Sequence, residues 1–71
     1  MELTDREYEV VTNIYGDMPR NLRAVETEEL VAMHDGVSDA VQLSYEDDDV
    51  ESLGILLPLE SKIVQVLKER L

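Results

Sequence analysis

The most constraining feature of this sequence is the uneven placement of its charges. The chain has 17 Asp and Glu residues against 6 Lys and Arg, a formal net charge of -11. All six basic residues lie towards the two ends, at Arg6, Arg20, Arg23, Lys62, Lys68 and Arg70. The stretch from Ala24 to Ser61 contains eleven carboxylates and no Lys or Arg. The carboxylates of this stretch repel one another with no nearby cation to offset the repulsion. The same negative charge makes bare nucleic acid and anionic membranes poor partners and a basic protein surface a good one.

Length and composition predict one small domain over residues 1–71. A chain of 71 residues buries only roughly 60% of the surface it exposes when unfolded. Without Cys it has no disulfide, so stability must come from apolar packing or from association, and a homodimer is one alternative. The acidic N-terminus does not resemble a secretory signal, and the longest apolar run, Leu53 to Leu59, is far shorter than the roughly 20 residues of a membrane span. We therefore expect a cytoplasmic protein.

Capping residues and helically spaced apolar residues predict helices in three segments of the chain. Thr4 and Glu7 have the spacing of a capping box, which predicts a first helix over Asp5 to Tyr15. A short extended piece is predicted around Leu22 to Val25. Thr27 can cap a second, short helix that ends at His34 before Gly36, and from Ser61 onward apolar residues return to helical spacing.

Between these helices the apolar residues alternate. Val41, Leu43 and Tyr45 have a period of two, and so do the odd-numbered residues from Leu53 to Leu59, as in half-buried strands. The sequence therefore predicts an α+β fold, helix-helix-β-hairpin-helix, with an acidic hairpin tip at Glu46 to Glu51. A degenerate winged helix-turn-helix is the alternative.

Residues suited to catalysis or metal binding are sparse. The single histidine, His34, has no nucleophile placed beside it by the sequence, and we expect no enzyme activity. The acidic run Asp47 to Glu51 lacks the Gly and terminal Glu of a calcium loop, so no specific metal site is predicted. The three glycines stand alone, which gives no phosphate-binding loop. No cofactor is expected.

Segments of the chain resemble three known protein families. The segments Leu3 to Glu7, Thr27 to Leu30, Gly36 to Ser38 and Leu53 to Ile55, in that order, resemble winged-helix transcription regulators, but residues 46–49 are acidic where that family has its basic recognition helix. The stretch Ser38 to Asp48, with Glu51-Ser52 and the following apolar run, is similar to phage uracil-DNA glycosylase inhibitors, which mimic DNA. That family's later strands have no counterpart here.

A third resemblance, in acidic character and opening helix, is to the immunity proteins of colicin nucleases, but that family is all helical, whereas the fold predicted here is α+β. We assign the chain to none of these families.

Charge placement leads to the functional prediction. Carboxylates arrayed along a hairpin edge can imitate the spaced negative charges of a nucleic-acid backbone and occupy the basic groove of a nucleic-acid-handling protein. We predict an inhibitor of such a protein, of the phage or host-defence antagonist kind, that binds no nucleic acid itself. The predicted partner-binding residues are Glu46, Asp47, Asp48, Asp49, Glu51 and Ser52. The alternatives are a solvated loop without a partner, and a winged-helix-like regulator or adaptor from a salt-loving organism.

Overall fold

The computed structural model describes all residues, Met1–Leu71, and it is built from helices without a sheet. Helix α1 spans Asp5–Ile14, a single 3₁₀ turn spans Leu22–Ala24, and two long helices follow, α2 over Thr27–Glu46 and α3 over Val50–Glu69. Helices α2 and α3 pack against each other as an antiparallel pair, and α1 packs on both. The molecule measures 33 × 23 × 17 Å.

The N-terminal helix forms as its local sequence predicts. Glu7 N donates to Thr4 Oγ1 at 3.2 Å, and Thr4 N donates to Glu7 Oε1 at 2.9 Å. This reciprocal pair satisfies two backbone N–H groups at the start of α1. The capping box is confirmed, and α1 ends within one residue of the predicted boundary.

The α+β prediction and its β-hairpin are wrong, because both predicted strands lie inside helices. On α2 the residues facing the core are Leu30, Met33, Val37, Val41 and Ser44, which recur every three or four positions as in a helix. Leu43 and Tyr45, predicted to share a buried strand face with Val41, are 60% and 58% exposed. The winged-helix alternative also fails, since the structure has no strands to form a wing.

Helix α3 replaces the second predicted strand. Its core face consists of Leu56, Leu59, Ile63 and Val66. The run from Ile55 to Leu57 is apolar at every position and therefore fits either period, and packing against α2 decides for the helix. Pro58 has no N–H to donate to the Gly54 carbonyl, but both residues are exposed, so water can bind that carbonyl instead.

Two predicted helix boundaries and one predicted extended segment also need correction. The second helix does not end at Gly36 but continues to Glu46, and the last helix begins at Val50 rather than at Ser61. The segment at Leu22 is a 3₁₀ turn instead of an extended piece; the only β-pairing is an isolated antiparallel bridge between Glu2 and Asn21. Gly36 lies inside α2 at a close approach of α1: a β-carbon on Gly36 would lie 2.8 Å from Ile14 Cγ2.

One apolar core joins all the helices. Its buried members are Leu3, Val11, Met18, Leu22, Val25, Leu30, Met33, Val37, Val41, Leu56, Leu59, Ile63 and Val66. The core runs along the α2–α3 seam, and α1 covers one side of it. The outer face of α2 and the α2–α3 turn are left in water, and both are where the acids concentrate.

Candidate functional site

The six predicted partner-binding residues lie together at one end of the molecule, around the α2–α3 turn. Glu46 is the last residue of α2, Asp47 to Asp49 form the connection, and Glu51 lies in the first turn of α3. The five carboxylates are exposed. The structure thus groups the predicted residues at a tip, but at a helix–helix turn rather than at a hairpin.

Two of the six residues also hold the turn in shape. Ser52 donates to Asp49 twice, from its backbone N to Oδ1 at 3.1 Å and from its hydroxyl to Oδ2 at 2.6 Å. These bonds cap the N-terminus of α3 and lower the pKa of Asp49 below its ordinary value, the side-chain bond contributing most. Asp48 has a φ of 53°, a left-handed conformation that Asp tolerates better than most residues. The carboxylates at the turn are therefore held on a defined backbone.

Most of the basic residues are occupied elsewhere in the fold. The four ion pairs are Arg6–Glu51, Arg20–Asp5, Arg23–Glu69 and Lys62–Glu7. Arg70 donates instead to the carbonyl oxygens of Val25 and Arg23, at 2.7 and 3.0 Å, and to Thr27 Oγ1. Lys68 is in no ion pair or hydrogen bond of the structure.

Little of this positive charge reaches the turn. Only Glu51 has a cationic partner, and its nearest oxygen lies 3.8 Å from Arg6 Nη2 with both side chains largely exposed. Such a surface pair contributes little. Glu46, Asp47, Asp48 and Asp49 are in none of the ion pairs, so their charge is uncompensated within the molecule.

A second acidic feature lies on α2 and was missed by sequence reasoning. Glu28, Asp35, Asp39 and Glu46 are spaced by seven, four and seven residues, which at 3.6 residues per turn places them within about 40° of one another around the helix. All four are exposed and none is in an ion pair. We call this row the acidic stripe. It is about 27 Å long at 1.5 Å per residue and runs directly into the acidic turn, Asp47 to Asp49.

The signal for the stripe was present in the spacing. It was not recognised because the prediction divided α2 into a short helix, a loop and a strand, and charges on different elements have no fixed relation. Only a continuous α2 aligns Glu28 with Glu46.

An open apolar groove of about 300 Å³ lies beside the stripe, where the three helices meet. It is lined by Val10 and Ile14 of α1, Ala40, Leu43 and Ser44 of α2, and Ser52, Ile55 and Leu56 of α3. Leu43 forms the border with the stripe, since it lies four residues after Asp39 and three before Glu46 on the same helix. The groove therefore has an acidic edge.

The remaining candidate residue, His34, lies half-buried in the middle of α2 rather than at a helix end. The structure brings no three His, Asp or Glu side chains together as a metal site. No helix is both long and apolar enough to cross a membrane.

Searches of protein-family models, curated proteins and solved structures for relatives of this chain give no match.

Proposed function

We propose that this protein binds a basic macromolecular surface through the acidic stripe and the acidic turn, and that it acts as an inhibitor of a nucleic-acid-handling protein. The observation that carries the proposal is the alignment of Glu28, Asp35, Asp39 and Glu46, continuous with Asp47 to Asp49 and free of internal cations.

Rigidity supports this role. The stripe lies on a helix whose opposite face is fully packed, and the turn is held by the Asp49–Ser52 cap. Carboxylates on an ordered backbone lose less conformational entropy on binding than carboxylates on a mobile tail. Complementary charge also steers encounter, so the acids are expected to act mainly on the association rate.

The internal contacts of the basic residues also favour a basic protein, rather than nucleic acid, as the partner. Of the six Lys and Arg side chains, five are engaged in internal ion pairs or hydrogen bonds. A surface with a net charge of -11 repels nucleic acid and attracts the proteins that bind it. The proposed activity is competition for a basic groove and involves no covalent chemistry.

The test begins with affinity capture from a nucleic-acid-rich lysate on the immobilised protein at low and high salt. A basic partner is expected to be released by salt and by added duplex DNA or RNA, and the protein should displace labelled nucleic acid from the purified partner. Failure to retain any salt-labile partner, or a partner that holds nucleic acid and this protein together, contradicts the proposal.

Two triple variants with the same net charge test whether binding depends on the position of the carboxylates or only on the net charge of the protein. In the stripe variant, Asp35→Asn, Asp39→Asn and Glu46→Gln remove three charges from one face.

The matched control removes three exposed, unpaired charges elsewhere, by Glu2→Gln, Glu9→Gln and Asp17→Asn. We expect the stripe variant to associate with the captured partner several-fold more slowly than the control at low salt, with the difference fading at high salt. Equal rates for the two variants would show that only net charge matters.

A further inference from the structure

The apolar groove has no occupant within the chain. Leu43 on its border is 60% exposed and Ile14 on the α1 side is 37% exposed. Isolated exposed apolar residues are ordinary, but here they line one concavity with Val10, Ile55 and Leu56.

Charge around the groove restricts what can cover it. Asp39 and Glu46 flank Leu43 on α2, and Glu51 precedes the groove residue Ser52 on α3. A second copy of this chain would bring a further net charge of -11 against that edge, which opposes self-association. A ligand with Lys or Arg beside its apolar side chains would instead neutralise the edge while filling the groove.

From this juxtaposition we infer that the groove and the acidic stripe together bind a Lys- and Arg-rich amphipathic helix of the partner. One or two of its apolar residues, which recur at i, i+3, i+4 and i+7, enter the groove, and its basic residues contact Asp39, Glu46 and the rest of the stripe. The inference rests on the proposed function and specifies the partner further, because a basic surface without apolar side chains would bind the stripe but would not fill the groove.

The length of the stripe sets the length of the occupant. A helix must have about 18 residues, at 1.5 Å per residue, to contact all of its roughly 27 Å. The groove is at the lower limit of the roughly 300–1,000 Å³ found for drug-sized ligand sites and is open to solvent, so it accepts a few side chains from a helix more readily than it encloses a small molecule.

The experiment uses the full chain and three synthetic peptides of about 18 residues. The first has Leu at helical spacing and Lys elsewhere, the second has the same composition scrambled so that no apolar face forms, and the third keeps the Leu face but replaces Lys by Glu. Binding is measured by fluorescence anisotropy at about 0.1 M and about 1 M KCl. We expect the patterned basic peptide to bind about tenfold or more tightly than the scrambled one, from burial of one or two Leu side chains.

Two matched variants test the location. Leu43→Gln removes the apolar border of the groove, and Leu57→Gln makes the same change on an exposed position of α3 outside it. Leu and Gln have similar helix propensities, so both variants should fold, as circular dichroism would verify. Leu43→Gln is expected to remove most of the preference for the patterned peptide, whereas Leu57→Gln leaves it unchanged.

The other outcomes are distinguishable. Equal binding of the patterned and scrambled basic peptides overturns the helix-in-groove inference but leaves the acidic-surface function standing, whereas no binding by either contradicts both. Binding of the acidic peptide as tight as that of the basic one shows that charge does not select the occupant. Concentration-dependent dimerisation that Leu43→Gln abolishes would place a second copy in the groove and also overturn the inference.

Discussion

Replacing Glu7 by Gln removes the negative partner of the less exposed of the two ion pairs that join α1 to α3. Lys62 Nζ lies 2.5 Å from Glu7 Oε1, and the Glu7 side chain is only 6% exposed. Burial acts to raise the pKa of Glu7, but hydrogen bonds from Lys62 and Thr4 and the charge of Lys62 outweigh it, so the pKa lies below its ordinary value. The folded state therefore stabilises the ionised carboxylate.

The magnitude follows from what each substitution leaves behind. Gln can still accept a hydrogen bond from the Thr4 N–H. The Lys62 side chain is 28% exposed and can turn towards water. We therefore expect Glu7→Gln to lower the free energy of unfolding by about 1–3 kcal/mol, less than the roughly 3–5 kcal/mol lost when a fully buried pair is broken. Lys62→Met leaves a buried carboxylate without its cation and is expected to cost about 2–4 kcal/mol. The double variant should cost less than the sum, with a coupling energy of about 1–3 kcal/mol.

Urea denaturation followed by circular dichroism at pH 7 gives all four free energies of unfolding. Because the pKa of Glu7 is depressed in the folded state, its contribution is complete above the ordinary glutamate value of 4.5 and is lost as the pH falls through the lower folded value. The coupling energy should therefore shrink in acid. A coupling energy below about 0.5 kcal/mol at pH 7 would refute the reasoning, because that is the range of independent sites.

Three further predictions concern the helices and the charge. Gly54→Ala places a β-carbon in open space on α3 and should stabilise the protein by about 0.5–1 kcal/mol. Gly36→Ala brings the same gain in helix propensity, but its β-carbon displaces Ile14. Urea titration of Gly36→Ala should therefore show a free energy of unfolding that is unchanged or lower by about 1 kcal/mol. Asp49→Ala should lower the urea midpoint by removing the α3 cap. Asp49→Asn keeps one accepting oxygen but loses the charge, so it should lower the midpoint less; equal lowering by the two variants would show that the retained oxygen contributes nothing to the cap. Raising KCl from about 0.1 to about 1 M shortens the screening length from about 10 to about 3 Å and should raise the urea midpoint, since most carboxylates are in no ion pair; a midpoint that does not rise would show that self-repulsion is a minor term.

Prediction from sequence succeeded where the determinants are local. The capping box of Thr4 and Glu7 involves residues three apart, so its geometry follows from the chain itself. The gathering of acids at one exposed turn was also predictable, because charges without partners avoid burial. What the sequence could not supply was the element carrying that turn.

The errors lie where two periods compete. Val41, Leu43 and Tyr45 alternate, yet Val41 also continues the helical row Leu30, Met33 and Val37. Short apolar runs do not decide between these two periods. Gly36 was taken as the end of a helix, although one Gly in a helix interior costs only about 1 kcal/mol. The acidic stripe and the apolar groove were lost with the same error, since both exist only when α2 is continuous.

By itself, then, the sequence determined the charge of the surface, the start of α1 and the exposure of Asp47 to Asp49, because these depend on residue type and near neighbours. The tertiary structure alone decided that residues 27–46 and 50–69 are helices and that Leu43 borders a groove edged by Asp39 and Glu46. The physical reason is that packing α2 against α3 buries Leu30, Met33, Val37, Leu59 and Ile63 completely, and this gain outweighs the local preferences of the glycines, the proline and the alternating segments.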